Sequence, residues 1–541
     1  MNHYPIVIHR RFLIFIKKFC IIYIVNKNLE KDKGEIIMNK FLNGLTDATN
    51  FRYTENGGLT HCSTRSALLD MFAMGAAYRK RNDEDCILLF KKAYEENPMY
   101  ALKCLFYIRD VRGGQGERRF WRVCMKWLAS ADPEAARRNI QHTALYGRWD
   151  DLYIFIGTPL EDAAFDIMKE QLALDVQCKT PSLLAKWLKS ENTSSKTSRK
   201  LAQRTREYLG MTHKQYRKTL SILRERINVL ERLMSAGKWD EIEFDMIPSK
   251  AGMIYKNAFA RHDLERAKSE KEVQTYADFA KDTTKKVNAK TLYPYECVEE
   301  ALKNYYSSID NTQRLMTNKY WENLADYFNG DTFNGICVAD TSGSMHGTPI
   351  NVAISLALYC AEKAKGPFAN HYISFASRPQ LIKTDGVDFV DKVRRIYSTN
   401  LVDNTNIEAV FDLLLDTAMR NGCKQEDLPQ NIIIVSDMEF DSCACPGWGS
   451  RGMSFTAFNH RNADTLLESI AKKWANYGYK MPHLVFWNVD CRNENIPMLG
   501  DGPISYVSGF SPSILETIMS GKTGYDLMME KLDSERYACI S

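Results

Sequence analysis

The sequence predicts a helical first part followed by a doubly wound α/β domain. Three observations predict this. Between Thr64 and about Phe328, apolar residues recur at three- and four-residue spacing. Beyond position 331, short near-continuous apolar runs (Ile336 to Ala339, His371 to Ala376, Ile432 to Ser436, Leu484 to Val489) alternate with helix-patterned segments, as in a parallel sheet covered on both faces. A chain of 541 residues also exceeds what one hydrophobic core holds and implies two or three domains.

In the first part, Ser66 to Tyr78, Asp85 to Glu95, Pro98 to Ile108, Arg119 to Leu128 and Leu160 to Leu174 each read as an amphipathic helix. Polar or Gly/Pro turns separate them, the pattern of stacked helical pairs. Tyr146-Gly-Arg-Trp-Asp-Asp-Leu and Ala236-Gly-Lys-Trp-Asp-Glu-Ile echo one another, although two copies do not establish a solenoid. In the second part, Asn351 to Lys363, Ile407 to Met419 and Ala463 to Asn476 are the helices between strands, and Ser505 to Pro512 is expected to start the last turn and helix.

Residues 1–37 differ from the rest. Two apolar runs, Phe12 to Ile16 and Phe19 to Val25, are split by Lys17-Lys18, and neither reaches the ~20 residues that span a bilayer. The expectation is a non-native or disordered leader, with translation starting at Met38. The domains are then 38–330, helical, and 331–541, α/β. The fourteen cysteines form no paired CxxC framework, which fits free thiols in a reducing, cytoplasmic setting.

Charge is segregated along the chain. Residues 38–330 carry 47 Lys/Arg against 39 Asp/Glu, whereas residues 331–541 carry 18 against 25. A basic middle points to a polyanionic partner, and a solvated charged surface explains it about as well. The charge is densest on two helix-patterned segments: Lys196, Arg199, Lys200 and Arg204 on the first, Lys214, Arg217 and Lys218 on the second. Arg112 and Arg118 belong to a Gly-rich basic loop, Arg109-Asp-Val-Arg-Gly-Gly-Gln-Gly-Glu-Arg118, whose backbone amides are candidates for a phosphate at the next helix start. The same loop also reads as a plain helix connector whose arginines pair with nearby acids. These nine cations are the candidate nucleic-acid contacts, although charged helix faces exposed to solvent read the same way.

In the second part, the strand Ile336 to Ala339 delivers Asp340, Ser342 and Ser344 into a tight turn before a helix. One carboxylate and two hydroxyls at alternate positions form an all-oxygen set suited to a hard cation such as Mg²⁺. The position, at the carboxyl end of a buried parallel strand, is where open α/β sheets place ligands. Asp340 acting only as a helix cap is the simpler alternative. Cys443, Cys445 and His460 lie in a Gly-rich insertion and would give zinc three ligands, with no fourth in view.

Asp340-x-Ser342-x-Ser344 resembles the metal-ion-dependent adhesion site of von Willebrand factor A domains. That resemblance implies a Rossmann-like domain whose site is completed by a threonine from a later loop and an aspartate after a later strand, here Thr405 and Asp437. It further implies that the ion takes its last ligand from a partner's Asp or Glu.

Residues 109–118, 146–152, Leu183 to Leu188 and Tyr216 to Leu220 resemble the helical module of TROVE proteins, which include the Ro ribonucleoprotein autoantigen. Ile247 to Gly252 and Ala258 to Asp263 are similar to an offshoot of that group. The resemblance implies a HEAT-like repeat domain closed by a von Willebrand A domain, with structured small RNA on the outside of a basic ring and single-stranded RNA ends in its opening. The basic segments here do not match Ro position by position.

Together these readings lead to an RNA-binding, Ro-like ribonucleoprotein component that handles small or misfolded noncoding RNA, with a Mg²⁺-dependent ligand site. The alternative is a metal-dependent protein-interaction scaffold that does not bind RNA. No nucleophile–base pair is visible, and an enzyme is not expected.

Overall fold

A computed structural model describes residues 50–541 apart from 270–272, 304, 306–308, 329, 331–332, 364, 376–377, 400–405, 441–465, 499–501 and 519–521. The leader 1–37 therefore lies outside the described residues. Every helix and sheet strand from Ala67 onward belongs to one compact unit, residues 52–541.

The helical part starts with α1 (Ala67–Met74), whose Ser66 cap accepts from the Leu69 amide at 3.2 Å. The segment expected to be one helix to Tyr78 instead tightens into a 3₁₀ turn over Gly75–Lys80, and Ile108 packs where a side chain on Gly75 would stand. Asn82 caps α2 (Asp83–Glu96), and Asn97 caps α3 (Pro98–Arg109), which carries Pro at its first position. α4 (Arg119–Ala131) and α5 (Glu161–Gln177) follow close to their predicted bounds. The two basic segments are helices: α6 (Lys196–Tyr208), capped by Ser195, and α7 (His213–Arg226), opened by a Thr212/Gln215 capping box. α8 (Ser249–Arg261), α9 (Pro294–Leu302) and α10 (Asn311–Glu322) follow, with shorter helices such as Pro133–Asn139 and Tyr276–Lys281 between the longer ones. Both tryptophans of the Gly-[Arg/Lys]-Trp-Asp echo open 3₁₀ turns, Trp149–Phe155 and Trp239–Glu241, so the repeated sequence gives a repeated local structure.

The second part is a six-stranded sheet. Its strands are β1 (Gly335–Asp340), β2 (His371–Phe375), β3 (Leu381–Lys383), β4 (Asn431–Ser436), β5 (His483–Asn488) and β6 (Ile504–Ser508), in spatial order β3-β2-β1-β4-β5-β6. All pairings are parallel except β2 with β3. Helices α11 (Thr348–Lys363), α12 (Phe389–Thr399), α13 (Ile407–Arg420) and α14 (Leu466–Asn476) connect the strands. Two details depart from expectation. Ser505 to Ser508, expected to open the last helix, lies in β6, because β5 supplies a parallel partner and every residue of the strand is buried. β3 is a short antiparallel edge strand with Leu381 exposed, too brief to carry a period of its own.

The two parts interlock. Ser508 Oγ donates to the Phe72 carbonyl at 3.0 Å, and α15 (Gly524–Leu532) packs against α1 and α3. α9 lies along α11 and α12, joining helical part and sheet into one core.

Candidate metal centre and basic cavity

β1 is the central strand, buried along its whole length, and its last residue is Asp340. The parallel register aligns Ala339 with Val435, so Asp340 emerges beside Ser436 and Asp437 at the carboxyl ends of β1 and β4. Asp340 Oδ1 accepts the Ser342 amide at 2.9 Å, and Oδ2 accepts the Ser436 hydroxyl at 2.6 Å. The hydroxyls of Ser342 and Ser344 lie 3.0 Å apart, and Ser344 bonds the Asp437 carboxylate. Four of the five residues expected at the site thus converge. Thr405 lies outside the described residues. The adjacent Asn406 accepts the Ala409 amide at 2.9 Å and starts α13.

Burial, with Asp437 beside it, pushes the Asp340 carboxyl up to about 7. Burial also raises Asp437, a rise that the Ser344 hydroxyl and Arg492 partly offset. Two carboxylates held together away from water repel one another, and a cation between them removes that cost. With the two serine hydroxyls they make an all-oxygen set, so the residues present fit a hard divalent ion. Asp340 bonds within its own turn and to Ser436, which is more than a helix cap requires.

Sequence reasoning missed Ser436, Arg492 and Glu439. Arg492 Nη2 donates to Asp437 Oδ2 at 3.0 Å, and Nη1 reaches Glu55 Oε2 at 2.8 Å. Glu439, also buried, accepts the Glu55 amide at 2.8 Å, and Asn493 bridges Glu55 and Glu439 at 3.0 Å each. Ser436 was visible as the strand residue just before Asp437. Nothing local to Arg492 marks it, because its role depends on how the turn after β5 folds back. His346 is exposed, in keeping with a solvated turn residue. Cys443, Cys445 and His460 lie outside the described residues.

The helical part encloses a cavity of about 1330 Å³. Nine Lys and Arg side chains line it against two glutamates, Glu191 and Glu231. Of the predicted RNA contacts, Arg112, Arg118 and Arg217 line this cavity. Lys196, Arg199, Lys200 and Arg204 on α6, and Lys214 and Lys218 on α7, do not line it but stand exposed on their helices. Arg204 is ion-paired to Glu161, and Arg199 donates to the Thr193 carbonyl at 2.9 Å. Trp149, Trp187, Tyr216, Tyr255 and Tyr293 add aromatic surface to the cavity, and the Arg148 guanidinium stacks over Trp187 at 4.0 Å.

Five amides of the Gly-rich loop are spent within the fold, those of Val111 and Arg112 on the Tyr146 carbonyl and Asp110 Oδ1 at 3.0 and 2.9 Å. The amides of Gln115, Gly116 and Glu117 donate to the carbonyls of Tyr107, Asp110 and Ile108 at 3.1, 2.9 and 2.8 Å. Its first arginine, Arg109, is buried and donates to Asp151 through Nε at 3.0 Å and Nη2 at 2.5 Å. The connector reading therefore holds for Arg109, while Arg112 and Arg118 face the cavity.

The chain thus joins a helical part to a mostly parallel α/β domain, with oxygen-bearing side chains gathered at the strand ends and a basic cavity in the helices. Residues 54–181 and 172–329 match the "Domain of unknown function (DUF2828)", and residues 334–537 match the "Domain of unknown function (DUF7788)". The chain belongs to the DUF2828 family. It is 30% identical over 510 residues to "Uncharacterized protein L728" of Acanthamoeba polyphaga mimivirus, an alignment covering 87% of this chain and 85% of that protein. Among solved structures, the Deinococcus radiodurans RO (RSR) protein is matched with 12% identity and a TM-score of 0.39, over 87% of this chain and 100% of that one. Among the described residues, no helix is long and apolar enough to cross a membrane.

Proposed function

We propose that the chain is an RNA-binding protein of the Ro-like kind, a ribonucleoprotein component that takes small or misfolded noncoding RNA into and around its helical part. The observation that carries this reading is the cavity, where nine cationic side chains face two carboxylates beside aromatic rings. Single strands bind such surfaces through phosphate contacts and base stacking. The exposed lysines of α6 and α7 extend the positive surface for a folded RNA. The α/β domain supplies a Mg²⁺ site from Asp340, Ser342, Ser344, Thr405 and Asp437. When bound, the ion would offer a ligand position to a partner's carboxylate. The reading is of binding, not catalysis, in the cytoplasm.

The test is whether protein from its native host carries RNA, seen as excess absorbance at 260 nm that nuclease removes, and whether added RNA is released steeply by salt. Replacing Lys196, Lys200, Lys214 and Lys218 by Gln should flatten that salt dependence. Protein that stays free of RNA and ignores added RNA at low salt would refute the proposal.

A metal-dependent scaffold without RNA is favoured by a different observation, the convergence of Asp340, Ser342, Ser344 and Asp437. On that reading, Asp340→Ala abolishes capture of a protein partner while RNA is irrelevant to it.

A further inference from the structure

The turn at residues 54–58 is closed by its own bonds. The Thr54 amide donates to the Gly58 carbonyl at 2.9 Å, the Gly57 amide to the Thr54 carbonyl at 3.0 Å, and the Gly58 amide to Thr54 Oγ1 at 2.8 Å. This turn lies against the residues that follow Asp437. The Thr54 hydroxyl donates to the Phe440 carbonyl, the Glu55 amide to Glu439 Oε2 at 2.8 Å, and Asn56 Nδ2 to the Glu439 carbonyl at 2.6 Å. Arg492 joins the turn to the strand ends, with Nη1 on Glu55 Oε2 at 2.8 Å and Nη2 on Asp437 Oδ2 at 3.0 Å. Its backbone is pinned: the amide donates to the Asp490 carbonyl at 3.1 Å, the carbonyl accepts from Arg81, and the preceding Cys491 amide donates to the Ala77 carbonyl at 3.2 Å. Only the side chain, 32% exposed, swings without breaking those bonds. Asp437 is wholly buried, and its other oxygen already accepts the Glu439 amide at 3.3 Å. The oxygen that Arg492 holds is therefore the one a cation needs, and two positive charges on one carboxylate oxygen repel each other.

We infer that Arg492 is a built-in occupant of the cation's place on Asp437, and that Glu55, on the turn at residues 54–58, is the carboxylate that receives the guanidinium when it yields that place. Nη1 is already on Glu55, so Nη2, once released from Asp437, makes the second bond to the same carboxylate. That two-pronged pairing is the strongest an arginine makes with a carboxylate. Filling the strand-end site therefore tightens the turn onto the rim, and by linkage a docked turn raises the affinity of the site for its cation. Whatever lifts the turn lowers that affinity. The inference rests on the Mg²⁺ part of the proposed reading and is independent of RNA.

The experiment is a double-mutant cycle on the full-length chain, with Mn²⁺ affinity read by calorimetric titration in wild type, Glu55→Gln, Arg492→Ala and the double variant. Glu55→Gln alone should bind the ion about fivefold more weakly, the worth of one partly exposed ion pair. In the Arg492→Ala background the same change should alter affinity less than about twofold, because no guanidinium remains to be received. Plain attraction between Glu55 and the ion acts equally in both backgrounds, so equal losses overturn the inference and leave the metal reading standing. Hydrogen exchange of the wild type with and without Mg²⁺ keeps the inference testable even if a variant fails to fold, which circular dichroism reports. The Glu55 amide should exchange more slowly with the ion present, and unchanged or faster exchange in ion-bound protein overturns the inference. If none of the four proteins binds the ion, the metal reading falls and the inference falls with it.

Discussion

Arg536 and Asp110 are 426 positions apart, and the Arg536 guanidinium grips the Asp110 carboxylate through Nε and, at 2.7 Å, through Nη2. Tyr537 Oη adds a third bond to the same carboxylate at 3.0 Å, and Asp110 is wholly buried. The Gly-rich loop of the helical part is therefore closed by the last turn of the chain, and Tyr146 donates to the Arg536 carbonyl in the same contact.

Removing one side of this contact leaves a buried carboxylate without a counter-charge. Arg536→Gln, or removal of residues 534–541, should destabilise the fold by about 3–5 kcal/mol. Urea unfolding measures it. A loss below about 1 kcal/mol, the worth of an exposed pair, would show that the contact only decorates the surface.

At the strand ends, Asp340→Asn removes a carboxylate that burial penalises. The metal-free protein should be as stable as wild type or more so, because a buried charge has gone. Wild type should instead gain about 2.7 kcal/mol from Mg²⁺ or Mn²⁺ at one hundred times the dissociation constant, and the variant should gain nothing. Thermal melts with and without the ion decide between these outcomes, and a variant still stabilised by the ion would remove Asp340 from the ligand set.

Arg492 holds Asp437 at 3.0 Å and so competes with any cation for that carboxylate. Arg492→Ala should bind Mn²⁺ several-fold more tightly, because a positive charge next to the ion is lost. Calorimetric titration reads the change directly. Weaker binding would instead mean that Arg492 assembles the site by keeping Asp437 ionised.

A pH test falls on the contact between α10 and the turn before α12. Arg314 donates to Asp388 through Nε at 2.7 Å and Nη2 at 2.8 Å, and Asn318 adds a bond at 2.8 Å. Burial alone would raise the Asp388 carboxyl, but these donors outweigh it and lower it. A carboxylate depressed in the folded state contributes stability above its unfolded pKa and loses it as pH falls through the folded value. The stability gap between wild type and Asp388→Asn, about 1 kcal/mol for this partly exposed pair, should hold at neutral pH and close below about pH 4. A gap that stays constant down to pH 3 would rule out the linkage.

Much of this architecture was legible because its signals are local. The 3.6-residue period of α2 to α5, the apolar runs of β1, β2, β4 and β5, and the Asp-x-Ser-x-Ser turn each sit within a few neighbouring residues. β6 escaped because a buried strand next to a turn has no period that separates it from a helix start, and only its pairing with β5 makes it a strand. The loop 109–118 was read two ways because the sequence does not reveal where an amide points, and the carbonyls of Tyr107, Ile108 and Asp110 at the end of α3 claimed three of those amides.

By itself, the sequence determined the helices α2 to α5 and the strands β1, β2, β4 and β5, that Asp340, Ser342 and Ser344 share a turn, and that the helical part is basic, since each follows from neighbours along the chain. Only the tertiary structure decided that Arg492 faces Asp437, that Arg536 closes on Asp110, and that Arg112, Arg118 and Arg217 share a cavity while the other predicted cations lie outside it. Those facts depend on parts of the chain tens to hundreds of residues apart, and packing rather than any local period brings them together.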